Sequence, residues 1–205
     1  MTTEVLRAAP SDTARREVEL LVDAAFRVIA ATGSVDPLVR DILKEAGVST
    51  PVFYRHFRSK DELLVTVWER GAHILAEYLQ RRMSATHHPP AGIRAWIEGV
   101  MRQAGDPRTS RRTRPFAIGG PALPSQFPAE HERMTSLLTG PLAGAIRATA
   151  DAGLCTSEDP DADARIIYDF VFARLRSVLI DGNHPDARTS DELVTFAFRA
   201  LHVVQ

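Results

Sequence analysis

Apolar residues recur at the three- and four-residue intervals of a helix along nearly the whole chain, and no stretch of strand length alternates apolar with polar side chains. The predicted fold class is all-α. Over residues 12 to 32, Val18, Leu21, Ala25, Val28 and Ile29 share one stripe, and Gly33 is placed to end that helix in the left-handed conformation. Asp36 as N-cap and Pro37 at the first helical position then predict a short second helix, which carries Val39, Ile42, Leu43 and Ala46 inward and stops at Gly47. Ser49 is expected to cap a third element, Thr50 to Phe57, in which Phe53 and Phe57 lie one turn apart. The spacing of Ser59 and Glu62 is that of a capping box, and it opens a fourth, longer helix with Leu63, Val67, Gly71, Ile74 or Leu75, and Tyr78 on its inner stripe.

Beyond His87-His88-Pro89-Pro90 the periodicity resumes with Ile93, Trp96, Ile97, Val100 and Met101. Between Gly105 and Pro128, Pro107, Pro115, Pro121 and Pro124 join Gly119-Gly120, which excludes a long regular helix and leaves short helices or loops. Helix returns from Ala129 to Ala152, with Gly140-Pro141 expected to kink or divide it and Gly153 to end it. Asp159-Pro160 opens another helix that reaches about Asp181, and Thr189 with Glu192 caps a last one that runs to about Val204.

Charge narrows the function only locally. The 205 residues hold 25 Lys and Arg against 26 Asp and Glu, a formal charge of −1, so any surface for a polyanion must be confined to part of the chain. From Thr50 to Lys60 there are three basic residues, Arg55, Arg58 and Lys60, and no acidic ones. Two short helices joined across Ala46-Gly47-Val48-Ser49 and packed on a longer one fit a helix-turn-helix, whose second helix must enter a groove about 12 Å wide. The helix lengths fit equally an αα-hairpin with a solvated polar face. With Phe53 pointing inward, Pro51 and Arg55 fall on the far side of the third helix, flanked by Val52 and Tyr54. A single cysteine, Cys155, suits a reducing cytosol, and no apolar run approaches the roughly 20 residues of a membrane span, so a soluble cytoplasmic protein is expected.

The stretch from Ala14 to Leu64, in particular Val39-Arg40-Asp41-Ile42, Ala46-Gly47-Val48-Ser49, Phe53-Tyr54-Arg55-His56-Phe57 and Ser59-Lys60-Asp61-Glu62-Leu63-Leu64, resembles the DNA-binding domain of the tetracycline-repressor (TetR) family. The resemblance implies a helix-turn-helix domain over residues 1–58 and a larger helical ligand-binding and dimerisation domain over 59–205. It makes Thr50 to His56 the recognition helix, with Tyr54 and Lys60 as phosphate ligands and Arg40 also facing phosphate. A cation in the first turn of the fourth helix opposes that helix's dipole, which fits Lys60 better as a phosphate partner than as a helix stabiliser. Thr50, Pro51, Val52 and Arg55 stand where base edges would be met: Arg55 suits guanine, and Val52 or Pro51 a thymine methyl. His56 fits a phosphate donor and a packing residue alike. Pro51 departs from the family's small residue, and Pro37 with Leu38 from its hydroxyl, which removes a phosphate contact. Arg7, Arg15 and Arg16 are read as a solvated terminus, with a DNA-directed arm as the alternative.

The segment from Asp159 to Asp181 is apolar almost all round, as is much of the last helix, so both need cover on every side. The family's terminal helices pair with their twofold mates, which implies a homodimer interface with Ile167, Val171, Leu175, Val178, Phe196 and Leu201 in it. A twofold dimer presents two readers about 34 to 36 Å apart to a pseudo-palindromic operator in double-stranded DNA. The resemblance also implies a small-molecule effector whose pocket alters the tilt of the fourth helix. Candidate lining residues are Trp96, Met101, Phe116, Phe127, Met134, Tyr168 and Phe172, each of which also reads as ordinary core. Arg108, Arg111, Arg112 and Arg114 are read as a solvated loop.

No Gly-x-Ser-x-Gly elbow, phosphate-binding loop, dinucleotide fingerprint or His-Glu-x-x-His helix is present in the sequence, and neither an enzyme, a cofactor nor a bound metal is expected. The expected function is a ligand-responsive, homodimeric transcriptional regulator, a repressor released from its operator by the effector. Its rival is an all-α small-molecule-binding or dimerising module that has lost DNA binding.

Overall fold

The computed structural model describes residues 12–34, 36–105, 107–119, 123–182 and 187–204. Among them the regular structure is helical throughout: α1 Asp12–Thr32, α2 Val39–Ala46, α3 Thr50–His56, α4 Lys60–Ser84, α5 Pro89–Met101, α6 Pro107–Gly119, α7 Leu123–Gln126, α8 Pro128–Asp151, α9 Pro160–Asp181 and α10 Ala187–Ala200, with one 3-10 turn at Arg102–Ala104. Arg7, Gly120 and Pro121 lie outside the described residues. The chain divides into two compact units between Val67 and Trp68, inside α4 and beyond the helix start expected to bound the first domain.

In the first unit α1 packs on α2 and α3. Leu21, Ala25, Ile29, Ile42, Phe53, Leu63 and Val67 are sealed from solvent, and Phe57 nearly so. Each fully buried side chain of this size stabilises by about 1.5–3 kcal/mol, which is the main force holding helices as short as α2 and α3. The turn between them requires Gly47: at φ 67° it takes the left-handed conformation, and the N–H of Val48 bonds back to Leu43 O at 3.2 Å.

Helix α2 starts two residues later than Asp36-Pro37 suggests, with Leu38 as its N-cap and no side-chain cap bond. Asp36 is engaged elsewhere, as an acceptor for Lys60 Nζ. At the head of α4, Ser59 Oγ accepts from the Glu62 N–H at 3.1 Å, and the Glu62 carboxylate accepts the Arg58 N–H at 2.6 Å, so the box closes one residue upstream of its usual partner.

The second unit is built round α5, which contacts α8, α9 and α10. Ile93, Trp96, Ile97, Val100 and Met101 are all buried. Gly99 allows the end of α4 to come close, since a Cβ there would stand 2.6 Å from Leu79 Cδ2. Two prolines are absorbed within helices rather than ending them. Pro115 lies inside α6, one of the short helices that the sequence left open there, and Pro141 lies inside an undivided α8. Each forgoes one backbone hydrogen bond, and tertiary packing offsets that loss. One turn before Pro141, the Leu138 carbonyl accepts the Trp96 indole N–H at 3.0 Å, which ties α5 to α8.

Helix α9 has the start its sequence describes, with the Asp159 carboxylate accepting from the Asp161 and Ala162 N–H groups and Pro160 in the first turn. Arg165 grips Glu132 through two contacts of 2.9 and 3.0 Å, which fastens α9 to α8. Helix α10 begins at Ala187, so Thr189 is a buried first-turn residue rather than the cap, and the helix ends at Ala200 rather than near Val204.

Candidate nucleic-acid interface

The third helix is short because Ser49 precedes it in extended conformation and Phe57 leaves it at ψ 128°. Phe53 and Phe57 anchor its inner side, with their rings 5.8 Å apart, and Tyr54 meets the edge of Phe53 at 5.1 Å. That anchoring leaves Thr50, Pro51, Tyr54 and Arg55 exposed and Val52 half-buried. The face is therefore a hydroxyl, a ring, a phenol and a guanidinium around a methyl-bearing flank, which is a set able to meet base edges and phosphates.

Its cations are not bare. Arg40 on α2 is exposed and pairs with Asp41 at 3.3 Å. Lys60 Nζ is held by Asp36, so the residue with the strongest phosphate expectation already has a carboxylate to exchange. Arg55 Nη1 contacts both oxygens of Glu17 on α1, at 3.3 and 3.2 Å. His56 turns the other way: its side chain is only 9% exposed and its Nε2 lies 2.6 Å from the same Glu17 carboxylate. Of the two readings open for His56, packing is the one its burial favours. The hydrogen bond with His56, and secondarily the charge of Arg55, hold the Glu17 carboxyl below its ordinary value of 4.5, against the opposing effect of desolvation. Nothing in the sequence marks Glu17 as a partner of the third helix, because it precedes Arg55 by 38 residues on another helix.

In the second unit the expected pocket residues are part of the packed interior. Trp96, Met101 and Met134 are buried, and Phe116, Phe127, Tyr168 and Phe172 are half-buried. Tyr168 stacks on Phe172 at 4.3 Å, and Phe172 lies 6.4 Å from Trp96. Burial pushes the Tyr168 phenol up, with the neighbouring Thr135 hydroxyl partly opposing. Phe116 instead packs against Trp68, 5.0 Å between centroids, apart from that stack. Among the described residues, Trp68 Nε1 is buried with no hydrogen-bond partner. An open groove of about 550 Å³ is lined by Tyr78, Arg81, Arg82, Arg94 and Glu98 among others, and by none of the seven expected pocket residues. Arg108, Arg111, Arg112 and Arg114 stand exposed on helix α6 rather than in a loop. Burial pushes the Cys155 thiol up, away from the reactive thiolate.

The expected interface residues divide in two. Ile167, Val171, Leu175, Val178 and Leu201 are buried within this single chain, where they form part of its own core. Phe196 is open to solvent, and with it Ile166, Phe170 and Ile180, the other side of the same two helices.

No helix among the described residues is long and apolar enough to cross a membrane. Residues 21–67 match the model of the family described as bacterial regulatory proteins, tetR family. Solved structures share the fold along most of the chain. RolR in complex with resorcinol is 17% identical with a TM-score of 0.71, over 95% of this chain and 91% of that one. NemR of E. coli in its reduced form is 16% identical, TM-score 0.71, over 90% and 96%. FadR of Bacillus subtilis in complex with stearoyl-CoA is 16% identical, TM-score 0.66, over 87% and 96%. The match over residues 21–67 and the all-helical fold shared along most of the chain make it similar to bacterial regulatory proteins of the tetR family.

Proposed function

We propose that this protein is a ligand-responsive transcriptional repressor that binds a pseudo-palindromic operator as a homodimer. The observation that carries the reading is the seven-residue helix α3, fastened by Phe53 and Phe57 while Thr50, Pro51, Tyr54 and Arg55 stay exposed. One such unit makes too few contacts for specificity, so two must act together.

The second copy is supported by Ile166, Phe170 and Ile180 on α9 and Phe196 on α10, which are exposed large apolar groups on two adjoining helices. Effector binding is supported by the orphaned Trp68 Nε1. Each buried unpaired group costs about 1–3 kcal/mol, which a ligand bearing hydrogen-bonding atoms would offset. Such a ligand releases the operator only if it binds the DNA-incompetent state more tightly, by the coupling energy of about 1–3 kcal/mol. Proteins of this fold are known in complex with resorcinol and with stearoyl-CoA; for this chain the effector is a small molecule with a polar atom to accept from Trp68 Nε1.

Selection of bound duplexes from a random pool tests the reading. The selected sequences should converge on two inverted half-sites about 10 base pairs apart, and no convergence would refute it.

A further inference from the structure

The carboxylate of Glu17 sits between two consecutive residues of the reader helix, and its position is difficult to account for by stability or by affinity. Exposed ion pairs of the Arg55–Glu17 kind add little to folding. A negative charge beside the reader also weakens attraction to phosphate. What the arrangement does supply is direction. Glu17 is itself held by the nearly buried His56, at 2.6 Å, and its side chain is only 20% exposed. From that fixed base both of its oxygens take Arg55 at a single atom, Nη1. The fork formed by Nε and Nη2 is not used by the pair. That fork has the geometry that grips two acceptors on one base edge, as on guanine. An untethered arginine samples many directions, whereas one held at Nη1 presents this edge along few.

We propose that Glu17 is a positioning residue which sets the base preference of Arg55. The proposal rests on the reading of α3 as the groove-entering helix, and it adds that one base pair in each half-site is specified jointly by α1 and α3. In this scheme His56 serves as the brace that keeps Glu17 in place.

The test uses the full chain and the duplex selected by it, with each base pair of a half-site replaced in turn. Arg55→Ala first identifies the pair whose discrimination depends on that side chain. Glu17→Ala should then lose about tenfold of the discrimination at that pair, within the range a bidentate contact supplies, and leave the other pairs unchanged. Glu17→Gln, which keeps an oxygen acceptor, should retain most of it. In an Arg55→Ala background, Glu17→Ala should change nothing further. The proposal is overturned if Arg55→Ala affects no single pair, if Glu17→Ala leaves that pair unaffected or weakens all pairs equally, or if its effect persists without Arg55. A wild-type chain that binds all duplexes alike would overturn instead the groove reading beneath it, and would do so before any variant is compared.

Discussion

The rings of Phe170 and Phe196 meet across α9 and α10 at 4.7 Å between centroids, yet 41% and 55% of these residues remains open to solvent. A pair that covers each other only in part is the seed of a larger contact, and Ile166 and Ile180 extend it along α9. Phe196→Glu should therefore give monomers at micromolar concentration by sedimentation, with the helical spectrum unchanged. Leu175→Ala, on the buried side of the same α9, should cost about 2–5 kcal/mol of stability and leave the association of folded chains intact. The reverse pattern would return the interface to the inner residues.

The two tryptophans differ in what their indole nitrogens meet. Trp96 Nε1 donates to Leu138 O at 3.0 Å inside the core, while Trp68 Nε1 is buried with nothing to donate to. Trp96→Phe loses a hydrogen bond and leaves a carbonyl short of one, and is expected to cost about 2–4 kcal/mol. Trp68→Phe removes the orphan as it removes volume, so denaturant unfolding should place it within about 1 kcal/mol of the wild type. Equal losses would contradict the assignment of partners.

Glu17 and Glu132 share a direction. Hydrogen bonds with His56 and Arg165 respectively, aided by their charges, hold both carboxyls below the ordinary 4.5. A carboxyl whose folded value lies below its unfolded one gives stability that is complete above 4.5 and is lost as pH falls through the folded value. Unfolding measured against pH should thus show Glu132→Gln and Glu17→Gln less stable than wild type at neutral pH. That difference should shrink below pH 4.5. A gap that stays constant across the range would exclude the linkage.

Local chemistry explains which parts of this structure could be read from sequence. Gly33 and Gly47 end helices where expected, and Asp159-Pro160 opens α9, because caps depend on residues within one turn of each other. The start of α2 was not legible, since the carboxylate of Asp36 goes to Lys60, 24 residues away. Pro141 does not divide α8 for a related reason: packing can retain a helix through one missing bond. Helix α9 is the most instructive case. A helix apolar all round gives two stripes, Ile167-Val171-Leu175-Val178 and Ile166-Phe170-Ile180, and periodicity does not say which faces the chain's own core. The exposed face of α3 was legible because Phe53 and Phe57 fix its rotation, whereas its carboxylate partners on distant segments were not.

The central claim is that the α3–α4 corner touches DNA phosphates, with Lys60 leaving Asp36 to do so. Duplex affinity measured against salt decides it. For the wild type, log affinity should fall linearly with log salt, by about 0.9 for each phosphate neutralised, and Lys60→Ala should flatten that slope by about one. Asp36→Asn should instead tighten binding, by about threefold for the loss of one exposed pairing. An affinity indifferent to salt, or a slope that Lys60→Ala leaves unchanged, would contradict the account.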